Sequence, residues 1–286
     1  MRLLVFGFGF TGRALAQLTP EGWRLGGVAR DPDARRAMAD QGVIAVDPGD
    51  AEALARELAH TDALLIAAPP GAEGCPGLRA LAPHMTKTGR APDWIGYLST
   101  TGVYGDRGGG WVFEDSELKP QSSEAERRVQ AEQGWMVLAA QHGAALCRFR
   151  LPGIYGPGRS PFDRLRAGEA RRLVKPGQVF SRIHVDDLAT GIIAAISRPE
   201  RAGVFNLCDD LPAAPAEVTA HAAQLLGITP PPEEAFEAAN LSPAAQRFWA
   251  ESKRVANARA KGALGWRPRY PTYREGLAAV LAVERG

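Results

Sequence analysis

Leu3-Leu-Val-Phe6 runs straight into Gly7-Phe-Gly9-Phe-Thr-Gly12, and this join decides how the chain folds. A short apolar run before the glycines reads as a strand, and Thr11–Leu18 after them reads as a helix. GxGxxG alone is a weak signal; a strand before it and a helix behind it give it meaning. Gly7 permits the tight turn, Gly9 lets the backbone approach a pyrophosphate, and Gly12 allows close helix–strand packing. Phe10 and Thr11 complete the loop, and the amino end of the helix favours an anion. The alternative is a glycine turn that only packs.

Working outward, the first half alternates between two textures. Strand-like runs stand at Leu3–Phe6, Trp23–Val28, Val43–Val46, Ala63–Ala67, Trp94–Leu98 and Ala144–Phe149. Helical stretches lie between them at Pro32–Gln41, Asp50–Ala59, Gly77–Lys87 and Ser123–His142. This alternation predicts an α/β fold, a doubly wound parallel sheet of the Rossmann type. Beyond Tyr155 the rhythm breaks at the loop Gly156-Pro-Gly-Arg-Ser-Pro, and the rest reads as a smaller mixed substrate segment. The division expected is 1–157 for dinucleotide binding and 158–286 for the substrate cleft, with 182–207 returning to the sheet.

The end of the second strand bears on the cofactor. An NAD site expects an acid there to hold the ribose hydroxyls. The chain instead reads Val28-Ala-Arg30, with Arg35 and Arg36 one helical turn later. Arg30 can bond a 2′-phosphate bidentately, with Arg35 nearby in the cofactor site, which points to NADP and leaves NAD open; the alternative is that these arginines form a solvated helix face. Asp31-Pro32 reads as a helix start. Asp47 could accept a hydrogen bond from the adenine amino group, and Ala67-Ala68-Pro69 is small enough to pass a flat ligand closely. Either could be a plain turn.

Composition narrows the partners. The chain has 286 residues, 45% of them hydrophobic, and a net charge of +2, which leaves no global field for a nucleic-acid backbone. No apolar run approaches the roughly 20 residues that a bilayer demands. Three scattered cysteines (Cys75, Cys147, Cys208) lack metal-ligand spacing and suit a reduced, cytoplasmic setting. The basic stretch with Arg164, Arg166, Arg171 and Arg172 has no interleaved aromatics and reads as a solvated face. A small-molecule substrate is expected, without metal, nucleic acid or membrane; a homodimer is compatible.

Further strings carry a resemblance. They are Leu98-Ser-Thr-Thr-Gly-Val-Tyr-Gly, Arg148-Phe-Arg-Leu-Pro-Gly-Ile-Tyr-Gly, Ile183-His-Val-Asp-Asp-Leu-Ala, Ser252-Lys-Arg-Val-Ala-Asn and Leu264-Gly-Trp. With the glycine loop, in this order, they resemble the extended short-chain dehydrogenase/reductases, which include the sugar-nucleotide epimerases and dehydratases. The glycine spacing is similar to that of the family's atypical branch. The resemblance implies a Ser/Thr, a Tyr and a Lys around the nicotinamide, the Tyr serving as acid/base. Thr100 matches the Ser/Thr. The Tyr-x-x-x-Lys element falls on Glu124 and Arg128, so it is not intact.

Glu124 could act as a base if burial raised its pKa, though Arg128 one turn away would oppose that. The bland reading makes them an exposed i,i+4 pair. Tyr104 is the candidate to replace the missing acid/base, and Tyr97 reads as core. Asp186 or Asp187 is expected to cap the helix after His184. Epimerases place an arginine four residues before that histidine; Phe180 stands here, with Arg182 two residues off, which argues against a sugar nucleotide. Two functions follow. One is an NAD(P)-dependent oxidoreductase or epimerase-type enzyme using Thr100 with Tyr104 or Glu124. The other is a non-catalytic NADP-binding sensor or assembly protein.

Overall fold

A computed structural model describes residues 1–285. Seven strands form one parallel sheet: β1 (Arg2–Phe6), β2 (Arg24–Val28), β3 (Ile44–Val46), β4 (Ala63–Ile66), β5 (Trp94–Thr100), β6 (Ala145–Leu151) and β7 (Gly203–Asn206). Their spatial order is β7-β6-β5-β4-β1-β2-β3. The chain winds outward from β1 through β2 to β3, then crosses back to β4 and winds the other way. The switch point therefore lies at the carboxyl ends of β1 and β4, where open α/β sheets bind their ligands.

The helices that cover the sheet start where the sequence supplies caps. In order they are α1 (Phe10–Leu18), α2 (Pro32–Asp40), α3 (Ala51–Ala59), α4 (Pro76–Thr88) and α5 (Ser123–His142). Asp31, Asp50 and Ser122 accept first-turn amides of α2, α3 and α5, each satisfying a donor the helix cannot. Further on come α6 (Pro161–Arg166) and α7 (Val185–Ile196). One face of the sheet buries Leu15 of α1 with Leu188 and Ile192 of α7. The other buries Leu54, Leu81, Trp135 and Leu138 of α3, α4 and α5. Burying each such side chain fully contributes about 1.5–3 kcal/mol.

The rest closes over the carboxyl edge. It comprises α8 (Pro215–Leu226), α9 (Pro243–Trp249), α10 (Ala258–Leu264) and α11 (Tyr273–Arg285). Three short parallel strand pairs stitch it down: Gly153–Tyr155 with Arg182–His184, Arg172–Val174 with Glu233–Ala235, and Trp111–Val112 with Arg254–Val255. A third core packs Tyr155 and Phe162 against Val218, Tyr273 and Leu277. The arginine-rich stretch is neutralised in place, since Arg166 meets Glu284, Arg171 meets Glu234 and Arg172 meets Glu233. Among the described residues no helix is long and apolar enough to cross a membrane.

One cap differs from expectation. His184 itself caps α7, its Nδ1 accepting the Asp186 amide at 3.2 Å. Asp187 turns inward and accepts the amides of Arg269 and Tyr270 at 2.6 and 3.0 Å. Burial still pushes its carboxyl up to about 6. That carboxylate pins the carboxy-terminal turn onto the sheet.

Candidate active site

The glycine loop is shaped by what a side chain would strike. Gly7 has φ +96°, and a Cβ there would lie 2.5 Å from the Ala68 amide nitrogen. A Cβ on Gly12 would meet the Phe8 ring at 2.9 Å, whereas Gly9 faces open space. The amides of Ala67 and Ala68 both donate to the Phe6 carbonyl, at 2.9 and 3.0 Å, which draws the loop after β4 against Gly7. Pro69 follows them. Gly9 caps α1 without a side chain, so the amides of Phe10, Thr11 and Gly12 begin a helix whose entrance is bare. Closely packed glycines beside an open one form a cradle for a group the size of a phosphate.

At the end of β2 the three arginines separate. Arg35 donates Nη1 to the carbonyls of Ala29 and Arg30, at 2.8 and 2.7 Å, and pairs Nη2 with Asp47 at 2.8 Å. Asp47 also accepts the Gly49 amide at 2.8 Å. Arg35 and Asp47 thus clasp the ends of β2 and β3 together. Arg36 pairs with Asp33 across an exposed turn. Arg30 is exposed, and among the described residues it has no ion-pair partner.

A cavity of about 650 Å³ opens at the carboxyl ends of β5 and β6, lined by Thr100, Thr101, Glu124, Leu151, Phe180, Arg182, Phe248 and Lys253 among others. Thr100 sits at its floor. Its Oγ1 accepts the Gly102 amide at 3.1 Å, which leaves the hydroxyl proton to donate.

Three sequence expectations need correction here. Tyr104 does not face this space. It is fully buried, donates to Asn206 Oδ1 at 2.7 Å and accepts from Arg150 at 3.1 Å. Burial pushes its phenol up, against the pull of Arg150, so it is no acid/base near neutrality. Glu124 does reach the cavity lip, but its side chain is 64% exposed. A hydrogen bond from its own amide, helped by Ser123 and Arg127, holds the carboxyl below the usual range, opposite to a buried base. Its ion-pair partner is Arg127 at 4.0 Å, not Arg128. Arg128 turns inward and donates to the Leu98 carbonyl at 2.6 Å, bracing β5 beside the buried Tyr97.

Two buried charge clusters escaped the sequence reading. In the first, Glu132 accepts Ser99 Oγ at 2.5 Å and takes Arg150 bidentately, at 3.2 and 2.9 Å. Arg150 also donates to the Glu114 carbonyl at 3.0 Å. A charged residue at the alternating position of the buried run Leu146–Leu151 was the available signal, because such a charge demands a partner. In the second cluster, Arg182 donates Nη1 to the carbonyls of Phe180 and Ala213, at 2.8 and 3.1 Å. Asp209 donates its amide to the Arg182 carbonyl at 2.7 Å, yet both of its carboxylate oxygens are buried and without a hydrogen-bond partner among the described residues. Burial pushes that carboxyl up to about 8.

Residues 3–208 match the model of the NAD dependent epimerase/dehydratase family. The chain is similar to a functionally unknown conserved protein from Silicibacter pomeroyi DSS, with 44% identity, TM-score 0.90 and coverage of 100% of this chain and 99% of that one. It also resembles a human epimerase family protein solved with NADPH, at 20% identity and TM-score 0.77, covering 99% of both chains. A 3-diazoavenalumate denitrifying reductase from Streptomyces sp is 33% identical over 151 residues. That match takes in 49% of this chain and 48% of the reductase, so the chain spans about half the length of the curated relative it matches.

Proposed function

The chain belongs to the NAD dependent epimerase/dehydratase family, and on that footing we propose that it is an oxidoreductase of reductase type that uses NADP(H) on a small molecule. The observation that carries the reading is the cavity of about 650 Å³ with Thr100 at its floor, on the strand next but one to β1. A volume of that size suits a small substrate. The reductase name of the Streptomyces relative and the NADPH of the human one favour the same direction.

The residues present fit the cofactor. Gly9 leaves room where Gly7 and Gly12 are tightly packed, and the amides of Phe10, Thr11 and Gly12 would hold the pyrophosphate. Arg30 would take the 2′-phosphate, with Arg35 fixing the carbonyls that aim it and Asp47 holding Arg35 in place. Ala67, Ala68 and Pro69 would form the wall beside the ring system. When bound, the cofactor supplies a hydride.

Thr100 then donates its hydroxyl proton to a substrate oxygen and polarises it, as its Gly102 hydrogen bond orients it to do. With Tyr104 buried and no tyrosine at 124, solvent at the lip replenishes that proton. Residues 1–157 serve as the cofactor platform, and 158–286, apart from the part of 182–207 that enters the sheet, shape the cleft.

Titration of the protein with NADPH and NADH by fluorescence tests the reading. NADPH should bind about 10- to 100-fold tighter, the effect of one charge-assisted bidentate contact. Arg30→Asp should erase that preference while leaving NADH nearly unchanged. Equal loss for both cofactors would refute the role of Arg30, and no binding of either would sink the proposal.

A further inference from the structure

We propose that the cavity takes a compact organic carboxylate with a flat apolar body, its anionic end on Arg182 and its flat face against Phe180 and Phe248. The inference deepens the reading of this cavity as a substrate site and rests on it. Three cations line the space: Arg182, Arg247 and Lys253. Lys253 is paired with Glu251. Arg247 is exposed at the lip, where water and the field of Glu124 screen it. Arg182 differs from both.

Its guanidinium commits only Nη1, to two backbone carbonyls, and among the described residues no carboxylate lies within ion-pair distance of it. Asp209, the acid whose amide bonds the Arg182 backbone, is 2% exposed and makes no side-chain hydrogen bond to it. Uncompensated charge at a buried site is costly unless something supplies the opposite sign. The free edge of the guanidinium, Nε and Nη2, has the spacing of a carboxylate. Burial pushes the Asp209 carboxyl up and the Arg182 guanidinium down, each opposed by the charge of the other.

The body of the ligand follows from the walls. Phe180 and Phe248 pack with ring centroids 4.5 Å apart, and Trp249 stands edge-on to Phe180 at 5.8 Å. Leu151, Pro152 and Pro215 continue the apolar lining. Phe248 is 60% exposed although it belongs to this aromatic group, so a face of it remains to be covered. One unpaired guanidinium suits one carboxylate rather than a diphosphate. Phe180 occupies the place where the epimerases carry their arginine, which again disfavours a sugar nucleotide.

Calorimetric titration with trans-cinnamate and trans-cinnamamide tests this, since the two share a shape and differ in charge. Cinnamate should bind about 10- to 100-fold tighter than the amide. Arg182→Gln should bring cinnamate down to the level of the amide, and Phe248→Ala should weaken both. If Arg182→Gln fails to fold by circular dichroism, Arg182→Lys keeps the charge without the fork and should lose most of the preference. Equal affinity for acid and amide, or no binding of either at millimolar concentration, overturns the inference. The NADPH titration is scored separately. NADPH binding without cinnamate binding refutes the carboxylate and leaves the cofactor reading standing; cinnamate binding without NADPH binding does the reverse.

Discussion

Glu132 with Arg150, and Arg182 with Asp209, are both buried pairs of charged residues near the carboxyl edge of the sheet, but their hydrogen bonding differs. Around Glu132 the donors and acceptors match: Ser99, Arg150, Tyr104, Asn206 and Glu114 form one continuous network. Around Arg182 they do not match, because among the described residues both Asp209 carboxylate oxygens and one edge of the guanidinium have no hydrogen-bond partner. A satisfied buried network fixes one arrangement of the backbone. An unsatisfied one beside a cavity is available to a ligand. The difference separates support from site, even though both clusters are charged and buried.

The largest expected effect comes from breaking the matched cluster. Glu132→Ala leaves Arg150 charged and unpaired, and should cost about 3–5 kcal/mol of stability in urea unfolding. A loss under about 1 kcal/mol would mean the network is not structural.

Next is the pH dependence of the unmatched one. The Asp209 pKa lies near 8 in the folded chain, above the ordinary value near 4 in the unfolded one. Between these values the folded state holds the extra proton, so its stability is fully present below the unfolded pKa and is lost as pH rises through 8. Between about pH 7 and 8, above the ordinary histidine value near 6.5, the slope should be about 1 kcal/mol per pH unit, and Asp209→Asn should flatten it. An unchanged slope in that variant would place the carboxyl in a matched environment after all.

Tyr104→Phe removes one hydroxyl from the matched network and should cost about 1–3 kcal/mol, while leaving the pH profile of turnover in place. A lost acidic or basic limb in that profile would return Tyr104 to the chemistry. The smallest effect is expected from Glu124→Gln at the solvated lip, where the unfolding midpoint and NADPH affinity should not move.

Much of the fold was legible because backbone requirements write themselves into sequence. Gly7 and Gly12 are glycines for lack of space, Asp31 and Ser122 mark helix starts, and the alternation of apolar runs with helical stretches marks a parallel sheet. The β2 end was half legible. Three arginines are visible in sequence, but their partners are not, and only the fold reveals that Asp47 reaches Arg35 while Arg30 has no ion-pair partner among the described residues.

The cavity was the least legible part. Its lining comes from β5, α5, the strand Arg182–His184 and α9, which are far apart in the chain. Family spacing singled out Thr100 and Glu124, and both line the cavity. It could not tell that Tyr104 points into the core, since the direction of a side chain on a 3-10 turn depends on what packs beneath it. Nor could it tell Arg128 from Arg127, neighbours on one helix that face a strand and a carboxylate respectively.

The central claim is that a nicotinamide dinucleotide lies along the switch point and meets a small substrate at Thr100. A crystal structure of the chain with NADPH tests it most directly. The pyrophosphate should lie on the amides of Phe10, Thr11 and Gly12, the 2′-phosphate on Arg30, and the nicotinamide ring at the edge of the cavity lined by Thr100. NADPH bound elsewhere, or a nicotinamide ring walled off from that cavity, would contradict it.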